Sequence, residues 1–263
     1  MNEIAVRALS GLVYVVILIT GIVISPDSYY ILVLLLGTAT FIESCIVRKI
    51  NPFFITGLYI ALLSLVHFLP VKAIYMQWLL PLFIVTNLLL LWRLFKKSLP
   101  KPLTKYLHTL YLFTGFLCLY YIAFFKESYF PQLTIAMFVL IWVNDIFAYL
   151  MGKFFGKNKL ISHISPKKTI EGFIGGCMAS LIAGVVFFKI LNEHTVIYWI
   201  VLALIISIFG TFGDLVQSQL KREAGVKDSG FIMPGHGGIY DRLDSIVFAV
   251  PFVYLYILLN HVS

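Results

Sequence analysis

Between Ser218 and Ser245 the chain reads SQLKREAGVKDSGFIMPGHGGIYDRLDS, with eight charged side chains, one histidine and five glycines in a sequence that is otherwise close to solid hydrocarbon. Four carboxylates in and around this stretch carry the chemical argument. Asp145 lies inside one apolar run, Asp214 at the end of another, and Asp241 and Asp244 open a third. Acids placed at membrane depth are costly unless paired or metal-bound, which makes them candidates for function. Asp241 and Asp244 are one helical turn apart, and on a helix that continues past Asp214 the residues Asp214, Ser218 and Lys221 share a face with Arg222 beside them. The intervening GVKDSGFIMPGHGG is rich in breakers and can return the chain to the same surface, bringing the two groups of acids together. Bare glycines around His236 expose backbone N–H groups of the kind that suit anions. Glu43, near the end of the second apolar run, is the weakest of the acids, and its simplest reading is a carboxylate in interfacial water.

Converging carboxylates are what a hard divalent cation needs, and clustered Lys and Arg are what a polyphosphate needs. Together they indicate phosphoryl or nucleotidyl transfer; salt bridges made only for stability would not require so dense a set. The chain has no Walker A motif, GxGxxG fingerprint, HExxH or cysteine pair. Cys45, Cys118 and Cys177 stand singly in apolar runs and read as packing residues.

The elements that must position these groups follow from composition. Hydrophobic residues make up 60% of the 263, charged residues only 12%, and the mean hydropathy is +0.96, far from a soluble globular domain. Apolar stretches long enough to cross a bilayer recur at roughly 5–24, 29–47, 53–70, 74–95, 104–125, 130–151, 172–191, 195–216 and 243–260. The sequence thus predicts an all-α integral membrane protein of about nine transmembrane helices, a single polytopic domain over 1–263. Its first run is too long, and lacks the small-residue site, for a cleaved leader. Lys and Arg in short loops stay on the cytoplasmic side. With the N-terminus cytoplasmic and the C-terminus external, 17 of the 20 basic residues fall inside and only Lys72, Lys126 and Lys189 outside. The net charge of +8 is therefore one-sided, fit for anionic headgroups, and no nucleic-acid partner is expected. Aromatics at predicted span ends (Tyr29, Tyr30, Trp92, Tyr120, Tyr121, Tyr198 and Trp199) read as an interfacial belt.

The stretch S-Q-L-K-R, K-D-S-G and P-G-H-G-G-I-Y-D-R-L-D resembles the signature of the phosphatidate cytidylyltransferases, with Met233 at a position usually held by Leu, Ile or Phe. A second block, WVNDIFAYLMGKFFGKNKLISHISPKKTIEG from Trp142 to Gly172, is also similar to that family. The blocks place the catalytic half at 126–263, and 1–125 carries no matching motif and reads as scaffold. The resemblance implies that CTP and phosphatidic acid give CDP-diacylglycerol and pyrophosphate. The attacking phosphate is already ionised, so positioning and charge neutralisation suffice without a strong base. On this reading Asp214 and Asp241 hold Mg²⁺ or another divalent cation, with Asp145 and Asp244 as further ligands or their supports. Lys221 and Arg222 act on the transferring group. Lys167, Lys168, Ser218, Lys227, His236 and Arg242 bind substrate. Two alternatives stay open: a CTP-dependent lipid kinase acting on a polyprenol- or phytol-type alcohol, and a cation transporter. A homodimer and a bacterial inner-membrane location are further expectations.

Overall fold

The chain folds into helices because almost every apolar run must satisfy its own backbone in lipid. In the computed structural model, which describes residues 3–69, 76–95, 100–124 and 128–261, these are α1 (Glu3–Val23), α2 (Pro26–Val47), α3 (Pro52–Phe68), α4 (Met76–Phe95), α5 (Lys101–Ile122), α6 (Pro131–Phe155), α7 (Ile170–Leu191), α8 (Val196–Glu223) and α9 (Tyr240–His261). Among the described residues seven helices are long and apolar enough to cross a membrane. The other two are α3, apolar but of 17 residues, and α5, whose 22 residues include Lys101, Lys105 and His108. Each predicted run has its helix, although Lys72, Lys96, Lys97, Lys126 and Ser263, used to orient the chain, lie outside the described residues, as does the side chain of Lys101.

Helix starts have local causes. Ser25 and Ser28 form a capping box ahead of α2, Asn51 caps α3, Thr169 caps α7 and Thr195 caps α8. Proline in the first turn of α2, α3, α5 and α6 costs nothing, because its missing N–H has no helical partner there. Helix α9 is the most enclosed of the spans and packs on α8 and α5, while α1 and α7 are the least enclosed.

Two features depart from the sequence reading. A short antiparallel hairpin, β1 (Lys159–Ile161) and β2 (Ser165–Thr169), interrupts the otherwise all-helical chain between α6 and α7. The aromatic belt is a correction: Tyr29, Tyr30, Tyr120, Tyr121, Tyr198 and Trp199 are buried between helices, and only Trp92 is exposed. Acceptors inside the protein, on another helix for Tyr29 and in the α7–α8 loop for Trp199, replace those at the water interface. Tyr29 donates to the Leu119 carbonyl at 2.5 Å and Trp199 Nε1 to that of Glu193 at 2.9 Å.

The three cysteines are free, Cys45 and Cys118 buried and Cys177 partly so, as packing residues should be.

Candidate active site

Four helix ends and the hairpin meet around one open cavity of about 640 Å³. Helix α6 brings Asp145 and Asn144, α8 brings Asp214 and Lys221, and α9 brings Asp241, Arg242 and Asp244. The hairpin adds Lys167 and Lys168. Its walls carry five acids and six basic residues, so the charge is nearly balanced.

The second sequence block explains itself as the joint between α6 and α7. A Cβ on Gly176 would stand 2.7 Å from the Asn144 carbonyl oxygen, so hydrogen at this position lets α7 lie directly on α6 next to Asp145. Thr169 accepts from the Gly172 N–H at 3.1 Å, and Glu171 accepts from Lys157 N, Asn158 N and Asn158 Nδ2 at 3.0, 3.2 and 2.8 Å. These bonds fasten the hairpin to α7 and aim β2 at the cavity. Lys168 Nζ then reaches Asp214 Oδ2 at 2.5 Å, while Ser218 Oγ donates to Asp214 Oδ1 at 3.1 Å. Burial pushes the Lys168 ammonium down, but Asp214, Asp145 and Asp244 outweigh it and hold its pKa above the ordinary lysine value.

Asp145, Asp214 and Asp244 interact electrostatically with one another across the cavity. Among the described residues Asp145 accepts from Asn144 Nδ2 at 3.3 Å, and Asp244 from the N–H and Oγ of Ser245 at 2.8 and 3.5 Å. Asp241 is differently placed. Its Oδ1 accepts from Lys221 Nζ at 2.7 Å and Gln217 Nε2 at 2.8 Å, and its Oδ2 from the N–H groups of Ser229 and Gly238 at 2.8 and 2.9 Å. It thus closes the glycine-rich loop onto α8 and α9, and it is available to a cation only if Lys221 lets go.

His236 lies on the cavity rim, bonded through Nδ1 to Ser10 Oγ at 2.8 Å, with Gly235 and Gly237 on either side at φ +74° and +87°. Burial, then Arg242 and Arg7, push its pKa below the usual histidine value, so the ring is neutral at pH 7. Arg242 holds the His236 carbonyl at 2.7 Å. Arg222 and Lys227 do not line this cavity; Arg222 points a helical step away from Lys221, and Lys227 is exposed in the loop.

The residue most clearly missed in the sequence is Glu43, and its reading as an interfacial carboxylate in water is corrected. It is only 3% exposed and accepts from Ile239 N (3.1 Å), Tyr240 N (2.9 Å) and Ser229 Oγ (3.1 Å). All three partners donate, which fits an acceptor-only carboxylate. Helix α2, in the half read as scaffold, therefore holds the loop and the start of α9. Its one sequence signal is an acid within an apolar run.

Among the described residues no three His, Cys, Asp or Glu side chains form a ready metal cage. Oxygen donors of two carboxylates facing one cavity nevertheless fit magnesium, which binds through one or two carboxylates, waters and phosphate oxygens rather than an all-protein cage.

Helices crossing a bilayer, with a charge-balanced cavity opening at one end of the bundle, define a polytopic membrane protein built around an ionic site. The sequence pattern of the Cytidylyltransferase family matches residues 5–260, and the chain belongs to that family. It is 32% identical over 264 residues to the phosphatidate cytidylyltransferase of Bacillus subtilis (strain 168), across 97% of each chain. It is 53% identical over 118 residues to the phosphatidate cytidylyltransferase of Staphylococcus aureus (strain COL) and 51% over 115 to that of Staphylococcus haemolyticus. These staphylococcal matches span 43% of this chain and 44% of the relative, less than half the length of either.

Proposed function

We propose that the chain transfers the cytidylyl group of CTP to phosphatidic acid, giving CDP-diacylglycerol and pyrophosphate, at the cytoplasmic face of a bacterial plasma membrane. One observation carries this reading: Asp145, Asp214 and Asp244 converge with Lys168, Lys221 and Arg242 in a single cavity of nearly balanced charge. A purely basic cavity would suit an anion alone; balanced charge suits a cation and a polyphosphate together.

Two of the carboxylates Asp214, Asp145 and Asp244 would hold a magnesium ion with the third supporting them, and Asp241 would enter only once Lys221 turns away. Bound there, the ion would supply positive charge against the phosphate at which charge builds up. The protein's own part is an exchange of partners. Lys168 on Asp214 and Lys221 on Asp241 each set an ammonium against a carboxylate, and each lysine would exchange that carboxylate for a phosphate bound in the same cavity. Arg242 supplies a bidentate grip from the first turn of α9. The phosphatidate oxygen that attacks is already anionic, so no side chain has to remove a proton. Pyrophosphate leaves with its charge met by the same cations.

Orientation follows from the basic residues. The cavity and its lysines lie at the end of the bundle where α2, α4, α6 and α8 finish, the end assigned to the cytoplasm by the positive-inside rule. CTP arrives there by water, and the lipid phosphate by the inner leaflet.

The test is a product assay on purified protein in mixed micelles, with labelled CTP, phosphatidate and a series of divalent metals. CDP-diacylglycerol with pyrophosphate is expected. Lipid phosphate with CDP from an alcohol acceptor would replace this reading with the kinase, and no metal dependence would remove the carboxylate site.

A further inference from the structure

A second cavity, of about 820 Å³, opens at the same end of the bundle, between the C-terminal ends of α2, α4 and α8, the first turns of α5 and the β1–β2 turn. No residue lines both cavities. Among the described residues its charge is one-sided: Arg48, Lys49, Arg93, Lys105 and Arg222 face a single acid, Glu223. That acid is already engaged, because Arg93 Nη2 donates to both of its oxygens at 2.7 and 2.6 Å. Arg48 is buried and ends on neutral acceptors, the carbonyls of Ser44 and Lys105 at 3.0 and 2.7 Å and Thr109 Oγ1 at 2.7 Å.

Three buried donor or acceptor atoms at this cavity have no hydrogen-bond partner among the described residues: Arg93 Nη1 and both ring nitrogens of His108. His108 is 1% exposed and Arg93 7%, and the guanidiniums of Arg48 and Arg93 both act on the imidazole electrostatically. Like charges held together at low dielectric repel, and buried unpaired polar groups are costly. An anion with several acceptor oxygens relieves both. A carboxylate offers two such oxygens in one plane; a phosphate offers three in a tetrahedron, able to meet donors arriving from α4 and α5 together.

We propose that this cavity is a second anion site, which takes a phosphate-bearing group through Arg93, His108 and Lys105, separate from the cavity that holds the reacting groups. The phosphate belongs either to an anionic lipid headgroup at the membrane surface or to a soluble phosphate. Because Arg222 and Glu223 on its wall share the last turn of α8 with Lys221, occupancy braces the turn that presents Lys221 to the other cavity.

The test is thermal melting of the full chain at fixed ionic strength, comparing wild type with His108→Leu, Lys105→Gln and, as a control in the other cavity, Lys167→Gln. The probes are inorganic phosphate in lipid-free detergent micelles, and mixed micelles of phosphatidylglycerol against phosphatidylcholine. His108→Leu removes an unpartnered buried imidazole and should fold at least as well as wild type, so loss of response in it is not a folding defect. Stabilisation of wild type and Lys167→Gln is expected, with about a tenfold or greater weakening of apparent affinity in His108→Leu and Lys105→Gln. Response to phosphatidylglycerol alone identifies a headgroup; response to inorganic phosphate without lipid identifies a soluble anion. No response to either probe, an equal response in every variant, or loss only in Lys167→Gln overturns the proposal. Since the readout is binding rather than turnover, it can fail while the cytidylyl-transfer reading stands.

Discussion

Glu43→Gln tests whether α2 positions the glycine-rich loop beside the cavity. The carboxylate receives three donors, two on Oε2 (Tyr240 N and Ser229 Oγ) and one on Oε1 (Ile239 N). An amide has one acceptor oxygen, so its best orientation keeps the two donors at the Oε2 position and turns its own NH₂ toward the Ile239 N–H. One charge-assisted bond is then lost, about 1.5–3 kcal/mol, and two become neutral bonds worth roughly 1 kcal/mol less each. The sum is about 3–5 kcal/mol of local anchoring, more than a hundredfold in the closed-to-open ratio of the loop. The helix itself stays buried between its neighbours, so the loss should appear as local opening rather than global unfolding. Hydrogen exchange read by mass spectrometry should show amides of 229–240 exchanging at least a hundredfold faster, with those of α5 and the middle of α9 unchanged. Turnover should fall by a similar factor with kcat affected more than KM if, as the proposed function requires, the loop amides of Ser229 and Gly238 hold Asp241 in its reacting position. Unchanged exchange at 229–240 together with normal turnover would refute the positioning role.

Asp241→Asn removes the anion that Lys221 and Gln217 grip, so turnover should fall by orders of magnitude across a magnesium titration while the protein still elutes as a folded species in detergent. Lys221 faces the acid cavity and Arg222 faces away; Lys221→Ala should lower kcat about ten- to a hundredfold, and Arg222→Ala roughly tenfold less than that, as steady-state kinetics in mixed micelles will show. Gly176→Ala places a methyl 2.7 Å from the Asn144 carbonyl, an overpacking cost of about 1–3 kcal/mol, visible as a lower Tm in detergent; an unchanged Tm would mean α6 and α7 are not in this contact. Cysteines at 157 and 227 should resist a membrane-impermeant reagent added to sealed cells, and labelling of either from outside would reverse the proposed orientation.

The membrane class and the helix positions were legible in the sequence because a bilayer imposes a one-dimensional rule: about twenty apolar residues make a span, wherever its neighbours lie. Asp145, Asp214 and Asp244 were legible as candidates for a related reason, since a carboxylate in such a run is costly unless paired, and the structure brings the three to one cavity. What helix periodicity could not supply was partnership between distant segments. Lys168 meets Asp214, and Glu43 meets a loop nearly two hundred residues on, only because packing of α7 on α6 and of α2 against α9 brings those ends together. Likewise Lys221 and Arg222 are alike in sequence and adjacent in the chain, yet a step of 100° around α8 sends them to two different cavities. Residue type and burial depth are properties of a segment and can be read from it, whereas which charge meets which is decided by helices that touch, and that is settled only by the tertiary fold.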